Sequence, residues 1–144
     1  MGEEFKITIE ENPRAEDERA ISAGLNRYNI AQTGRDDYRK LVVLVKDESN
    51  QIVGGLVGGT YWDWLYVDLL WLEEHLRGKG YGSRLLDAAE GEAITRGCAH
   101  VFLDTFGFQA PAFYERRGYT VFGTLEDFPP GHKRFFLQKD LRAS

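Results

Sequence analysis

LLWLEEHLRGKGYGSRLL, residues 69–86, is the stretch whose reading decides the fold. It reads as an apolar strand ending near Glu73, a basic loop with glycines at 78, 80 and 82, and the start of an amphipathic helix. Glycine adopts positive φ and lets other groups approach the main chain, so glycines on alternate positions leave several backbone N–H groups able to converge on one point. The helix start adds its own unpaired N–H groups and the positive end of its dipole. Together these form a seat for an anion, most simply phosphate, and Arg77 and Lys79 bring charge to the same place. The run lacks the Gly-Lys-Ser/Thr ending of a nucleoside-triphosphate loop, and its glycines sit wrongly for the dinucleotide fingerprint. Taken alone, such a loop is also compatible with a flexible turn, so the rest of the chain has to decide.

Working outward, 144 residues of uniform composition predict one domain, 1–144, large enough for a real core. No apolar run approaches the roughly twenty residues of a membrane span. The acidic start MGEEFKITIEE has no apolar leader region, and the single cysteine, Cys98, has no partner for an internal disulfide, so a reducing cytoplasm is expected. A net charge of -5 argues against nucleic acid and leaves cationic partners, amines included, as the easier guests.

On the N-terminal side, residues 4–10 (EFKITIE) alternate with Phe5, Ile7 and Ile9 on one side and predict a half-buried strand. Asn12-Pro13 reads as an N-cap with proline in the first helical position, followed by Glu16, Asp17 and Glu18 where acids suit the dipole. Ile21, Leu25 and Tyr28 recur at helical spacing and predict a core-facing stripe. Residues 29–38 (NIAQTGRDDY) show no clean period and read as a lid or an ordinary surface connection. Leu41–Val45 and Ile52–Tyr61 are strands joined by DESNQ; glycine pairs at 54/55 and 58/59 predict bulges or close approach of another backbone. Trp62, Trp64, Tyr66 and Trp71 fit core packing, a cleft lining or a dimer surface.

On the C-terminal side, Leu85, Leu86, Ala89 and Ala93 form the buried stripe of a helix from Gly80 to Arg96, stopped by Gly97. Cys98–Thr105 is an internal strand, and the strand-helix-strand unit makes it parallel to the one ending at Glu73. Gln109–Arg117 (QAPAFYERR) is a second helix closed by Gly118, and Tyr119–Leu125 and Lys133–Leu141 are strands joined through Pro129-Pro130-Gly131. The result is an α/β architecture with a mixed sheet flanked by helices.

Arg77, Gly80 and Gly82 in RGKGYG match Arg/Gln-x-x-Gly-x-Gly/Ala, and this pattern resembles the acetyl-CoA pyrophosphate loop of the GNAT N-acetyltransferases. QAPAFYERRGY resembles the family element Asn-x-x-Ala-x-x-Phe/Tyr-Tyr-x-x-x-Gly-Phe/Tyr, with Ala112, Tyr114, Gly118 and Tyr119 in step. The predicted element order, β-α-(α)-β-β-β-α-β-α-β-β, is similar to that of the family along nearly the whole chain. GGL, the tryptophan-rich strand, LDTFGFQAPAFY and PPGH together resemble bacterial members of small-molecule type.

The resemblance implies a central sheet whose two parallel strands splay to admit the pantetheine arm of acetyl-CoA, the co-substrate, as an extra strand would enter. It places the backbone of Leu72, Glu73 and Glu74 on the pantetheine, with an N–H near Leu72 facing the thioester oxygen where charge develops. It places the pyrophosphate on Arg77, Gly78, Lys79, Gly80, Tyr81, Gly82 and Ser83. Gln109 stands where many relatives have asparagine, which leaves its own pantetheine contact open.

Two protonic tasks follow. An alkylammonium with a pKa of about 10.4 is nearly all protonated at pH 7, a penalty of about 4.6 kcal/mol unless a base assists. Glu73 and Glu74, on opposite sides of the strand end, are the first candidates and Asp104 the next; a solvated pair of acids is the plain alternative. Tyr114 matches the family tyrosine that acts as general acid toward the leaving thiolate, its plain alternative being a packed aromatic like Phe113. Cys98 reads as a buried structural thiol. His75, His100 and His132 lack metal-ligand spacing, so no metal is expected, and His132 is a further substrate-contact candidate. The expected activity is acetyl transfer to an amine of a small molecule or peptide by direct attack in a ternary complex, without nucleic-acid or membrane partners. The family habit of pairing through the final strands implies a homodimer. The competing readings are a non-catalytic GNAT-fold module that holds CoA or a nucleotide for a protein partner, and a structural dimer with an empty cleft.

Overall fold

Short alternating segments separated by turn residues build a six-stranded mixed sheet between Arg39 and Asp140. The computed structural model describes residues 3–142. In chain order the elements are α1 (Ala15–Thr33), β1 (Arg39–Lys46), β2 (Ile52–Tyr61), β3 (Trp64–Leu72), a 3-10 turn (Glu74–Leu76), α2 (Tyr81–Thr95), β4 (His100–Phe106), α3 (Pro111–Arg116), β5 (Thr120–Leu125) and β6 (Arg134–Asp140). The spatial order is β1-β2-β3-β4-β6-β5. Every pairing is antiparallel except β3 with β4, the pair linked through α2.

The β3–β4 pairing is short. It runs from Trp64 and His100 to Val67 and Leu103, yet β3 continues to Leu72 and β4 to Phe106. On the other side of β3, Val57 pairs with Leu69 and Gly58 with Val67, so Asp68 is an extra residue without a partner. A bulge of this kind bends its strand and raises the local twist, and it falls directly after the last parallel pair. The two strands therefore part at the point where the bulge turns β3 away. Gly58 is the partner of that bend: a Cβ there would lie 2.2 Å from the Tyr66 carbonyl oxygen, so only glycine fits.

One face of the sheet carries the core. Leu56, Leu65, Val67, Val101, Leu103 and Leu137 are buried against Leu85, Leu86, Ala89 and Ala93, the predicted stripe of α2. Each such leucine stabilises by about 1.5–3 kcal/mol when fully buried. Glu90 is the charged exception on α2; it accepts from Tyr119 Oη at 2.7 Å and Lys139 Nζ at 2.8 Å, which fixes the helix to the end of β6. Burial and the Glu90 carboxylate push the Tyr119 phenol far above its ordinary value. At the far end of α2, Arg96 donates to Arg39 O, Lys40 O and Thr60 Oγ1 at 3.1–3.3 Å and ties the helix to β1 and β2.

The chain divides into two compact units, one ending at Asp36 and one beginning at Asp37. In the first, the structure departs from expectation in four ways. Residues 4–10 form no strand, and Phe5, Ile7 and Ile9 are exposed. The helix starts at Ala15 with Arg14 as N-cap, through a reciprocal Arg14–Asp17 arrangement, and not at Asn12-Pro13. It runs on through Thr33 to Gly34 (φ 71), so residues 29–33 of the stretch 29–38 are helix. Within this unit nothing covers Ile21, Leu25 and Tyr28, and α1 has no buried residue. The alternation and the 3.6 period were real, but periodicity reports an apolar face and not what covers it.

Smaller corrections concern boundaries. β3 begins at Trp64 and ends at Leu72, before Glu73; β4 begins at His100, after buried Cys98; α3 begins only at Pro111. The β2–β3 link is a two-residue turn with Trp62 (φ 50) and Asp63 (φ 69) both at positive φ, the geometry that suits strand twist, here made without glycine. No helix among the described residues is long and apolar enough to cross a membrane.

Candidate active site

The gap between β3 and β4 is bordered by groups that register alone assigns to its two faces. Along β3, Leu65, Val67, Leu70 and Leu72 share the α2 face, since Leu56 pairs with Leu70 and Gly54 with Leu72. Tyr66, Leu69 and Trp71 take the other face, and alternation continues to Glu73. On β4, Phe102 and Asp104 share that second face, because Phe102 pairs with Tyr66 and stacks on it at 4.8 Å between ring centroids.

Main-chain groups at the end of β3 are also sorted. Glu73 N–H donates to Val53 O at 2.9 Å and is spent on β2. Alternation turns the N–H and C=O of Leu72 the other way, toward the gap. The Leu72 carbonyl accepts from Arg77 Nε at 3.2 Å, which folds the basic loop back onto the strand end. Of the predicted main-chain trio, then, Leu72 faces the gap, Glu73 does not, and Glu74 opens the 3-10 turn.

Beyond that turn, Gly78 (φ 74) and Gly80 (φ 87) both take the left-handed region, and Gly80 is the N-cap of α2. No side chain caps this helix start, so the first-turn N–H groups of Tyr81, Gly82 and Ser83 have no intrahelical or side-chain acceptor. Lys79 is exposed beside them, and Tyr81 lies under the Arg84 guanidinium at 5.3 Å. The loop and the second motif meet at Gly82, where a Cβ would stand 3.3 Å from the Phe113 ring. Phe113 in turn meets the Tyr114 ring edge-on at 5.1 Å, so the helix start and the tyrosine are held in one packed unit.

Tyr114 sits on α3, half-buried, with Tyr119 on its other side at 5.8 Å. Burial first, and the negative charge of Asp104 second, hold its phenol above the ordinary value of 10.0. Burial, Asp68 and Asp104 raise Tyr66 in the same way. The Asp104 carboxylate thus acts on a tyrosine from each side of the parted strands. It is itself paired: Arg134 donates from Nε at 2.9 Å and from Nη2 at 2.7 Å to Oδ1, with side chains only 15% and 26% exposed. The Arg134 guanidinium also lies 4.9–5.3 Å from the rings of Phe106, Phe128 and Phe136. Phe108 stacks on Phe106 at 5.4 Å and meets His132 edge-on at 5.1 Å. The Asp104–Arg134 ion pair is thus walled by aromatic rings next to the parted strands.

Comparison with known proteins bears on this geometry. The sequence model of the acetyltransferase (GNAT) family matches residues 5–119. The chain is a member of the GNAT acetyltransferase family. This acetyltransferase is 42% identical over 125 residues to acetyltransferase Atu2258 of Agrobacterium fabrum, covering 87% of this chain and 91% of the relative. It is 45% identical over 95 residues to blasticidin-S acetyltransferase of Streptomyces morookaense, covering 65% of this chain and 70% of that one. A crystal structure of a candidate acetyltransferase from Agrobacterium tumefaciens superposes with a TM-score of 0.90 at 38% identity, covering 94% of this chain and 99% of the other.

Of the residues singled out in the acetyltransferase sequence, Arg77 meets Leu72 through a hydrogen bond, and Gly82 meets Tyr114 by way of the Phe113 ring. Gln109 is used locally: its Oε1 accepts from Thr105 Oγ1 at 3.1 Å and Phe106 N–H at 2.8 Å, closing the end of β4. Ala112 is exposed on α3 and Glu74 is exposed in the turn. Core packing does not describe the tryptophan cluster: Trp62 and Trp71 are exposed, and Trp64 lies half-buried on His100 at 4.5 Å. Sequence reasoning missed Arg134 and the phenylalanines around it, and gave Tyr66 only as one of an aromatic cluster with three possible roles. The Asp104–Arg134 partnership spans 30 residues and exists only through the β4–β6 register, so no local pattern announces it. Among the described residues no group of histidine, cysteine or carboxylate side chains is arranged to hold a metal.

Proposed function

We propose that this protein transfers an acetyl group from acetyl-CoA to a primary amine by direct attack in a ternary complex. The observation that carries the reading is the parting of β3 and β4 past Val67 and Leu103, with an uncapped helix start and Tyr114 packed beside it. The pantetheine arm enters that gap and pairs with the Leu72 edge of β3. Its diphosphate rests on Arg77, Gly78, Lys79, Gly80, Tyr81, Gly82 and Ser83, where free amides and the helix dipole favour negative charge. Gln109 holds the β4 end in place, and Ala112 borders the same arm.

Attack on the thioester carbonyl forms a C–N bond and a tetrahedral oxyanion, which the Leu72 N–H stabilises. Collapse breaks the C–S bond, and Tyr114, kept protonated by its raised pKa, donates a hydrogen bond or proton to the departing sulfur. Glu73 takes the ammonium proton directly or through water, because it shares the sheet face of Tyr66 and Asp104. Asp104, already bound to Arg134, orients the amine and does not serve as the base. Glu74, exposed in the turn, has no such placement. The acceptor class that the aromatic and acidic wall suits is a small cationic amine, and the relative acting on blasticidin S supports a small molecule over a peptide.

Incubation with acetyl-CoA and a panel of polyamines, aminoglycosides, nucleoside antibiotics and amino-acid amides, with free thiol release followed spectroscopically, tests this. Turnover on at least one amine, with an N-acetyl product by mass spectrometry, is the expected result. Tight acetyl-CoA binding with no turnover on any amine would instead establish the non-catalytic module.

A further inference from the structure

Resting on the acetyl-transfer reading above, we propose that the Tyr66 hydroxyl receives one N–H of the acceptor amine where the strands part, and that Asp68 positions it by holding the phenol proton. Tyr66 comes one residue before Val67, which makes the last parallel pair with Leu103, and it lies on the sheet face of Asp104. Rings hold it from both neighbouring strands. On the β4 side it stacks on Phe102, with centroids 4.8 Å apart and planes at 24°. On the β2 side its partner is Gly59, and the Tyr38 ring fills the space where a side chain would stand, 2.5–2.8 Å from the Cβ position. The phenol oxygen is thereby held at the start of the gap.

Asp68 is the extra residue of the β3 bulge, and a bulge re-aims a side chain. Here the carboxylate meets the phenol, with Tyr66 Oη donating to Asp68 Oδ1 at 3.3 Å. A carboxylate only accepts, so the direction of this bond is fixed. Burial and the charges of Asp68 and Asp104 keep the phenol protonated at neutral pH, so its proton has to be placed somewhere. A phenol has one proton and two lone pairs, and with the proton given to Asp68 it only accepts from a substrate. That direction matters to a nucleophile. Once Glu73 has taken a proton from the ammonium, a primary amine carries two N–H groups and one lone pair. Tyr66 Oη accepts one N–H; Asp104, whose Oδ1 takes both bonds from Arg134, keeps Oδ2 for the other. The lone pair then stays free for the thioester carbonyl. A phenol proton left unplaced would bond to that lone pair and blunt it. The amine N–H in turn polarises the phenol O–H and strengthens its bond to Asp68. One inserted residue thus both opens the gap and orients the hydroxyl at its mouth.

Kinetics on the panel amine with the highest wild-type kcat/KM test this assignment. Tyr66→Phe keeps the ring and its stack on Phe102, and Asp68→Ala frees the phenol proton; each should lower kcat/KM for the amine by about tenfold or more. The acetyl-CoA dissociation constant from calorimetry should stay within about twofold in both. Because Asp68 acts through Tyr66, the double variant should fall no more than about threefold below Tyr66→Phe alone. Asp68→Asn retains a carbonyl oxygen for the phenol proton and should stay within about threefold of wild type. Wild-type kcat/KM in Tyr66→Phe, an equal loss of acetyl-CoA affinity, losses that multiply in the double variant, or an asparagine variant as impaired as the alanine one would each overturn the assignment and leave the acetyl-transfer reading standing. Absence of turnover by the wild type on every amine would overturn that reading, and the assignment with it.

Discussion

Replacing Gly80 by valine isolates the backbone contribution to coenzyme binding. Gly80 has φ 87 and ψ 2, and a Cβ built there meets nothing within 4 Å. The substitution therefore collides with no neighbour, and its entire cost is the left-handed conformation, about 1–2 kcal/mol for an L-residue and toward the upper end when β-branched. In the free protein the loop escapes this cost by rotating to negative φ, which swings the amides of residues 80–83 out of convergence. Binding then has to restore the strained geometry. At about 1.4 kcal/mol per factor of ten, the dissociation constant for acetyl-CoA rises about 5- to 30-fold. Titration calorimetry measures it directly, with thermal unfolding as a check that the fold persists. Gly80→Asn, which tolerates the left-handed region, should recover most of the affinity. Gly91→Ala, in the middle of α2 with open space around it, should stabilise the fold by about 0.5–1 kcal/mol and leave binding unchanged. Wild-type affinity in Gly80→Val, or an equal loss in the asparagine variant, would refute the amide cradle.

Tyr114→Phe should lower kcat about 100-fold or more with little change in KM for acetyl-CoA. Because the phenol is raised, the wild-type alkaline fall in kcat lies above pH 10 and should vanish in the variant, as a pH–rate profile would show. Asp104→Asn breaks the charge-assisted bond to Arg134 and should cost about 1.5–3 kcal/mol in urea denaturation. It should also weaken KM for the amine more than for acetyl-CoA. Tyr119 has a folded-state pKa above its unfolded one, so the stability it confers is complete below pH 10 and is lost as pH rises beyond that. Tyr119→Phe should flatten this alkaline decline in chemical-denaturation curves, at a loss of about 1.5–3 kcal/mol near neutral pH from the missing bond to Glu90.

What the sequence determined by itself is everything carried by short spacing. Glycines at 78, 80 and 82 announced a turn into a helix, apolar runs bounded by turn residues announced five of the six strands nearly in place, and the Leu85–Ala93 stripe announced which face of α2 is buried. These are local properties, since φ preference and a period of two or 3.6 act within a few residues. The tertiary structure alone decided three things. Asp68 becomes a bulge only because β2 fixes the register on both sides of it, and the strands part there. Asp104 meets Arg134, and Gly82 meets Phe113, across about thirty residues of chain, through pairing and packing that no window spans. Phe5, Ile7, Ile9 and the α1 stripe were legible as apolar faces, but an apolar pattern specifies a demand for burial and not its source. Burial is a relation between surfaces, and it is settled only when the whole fold is in place.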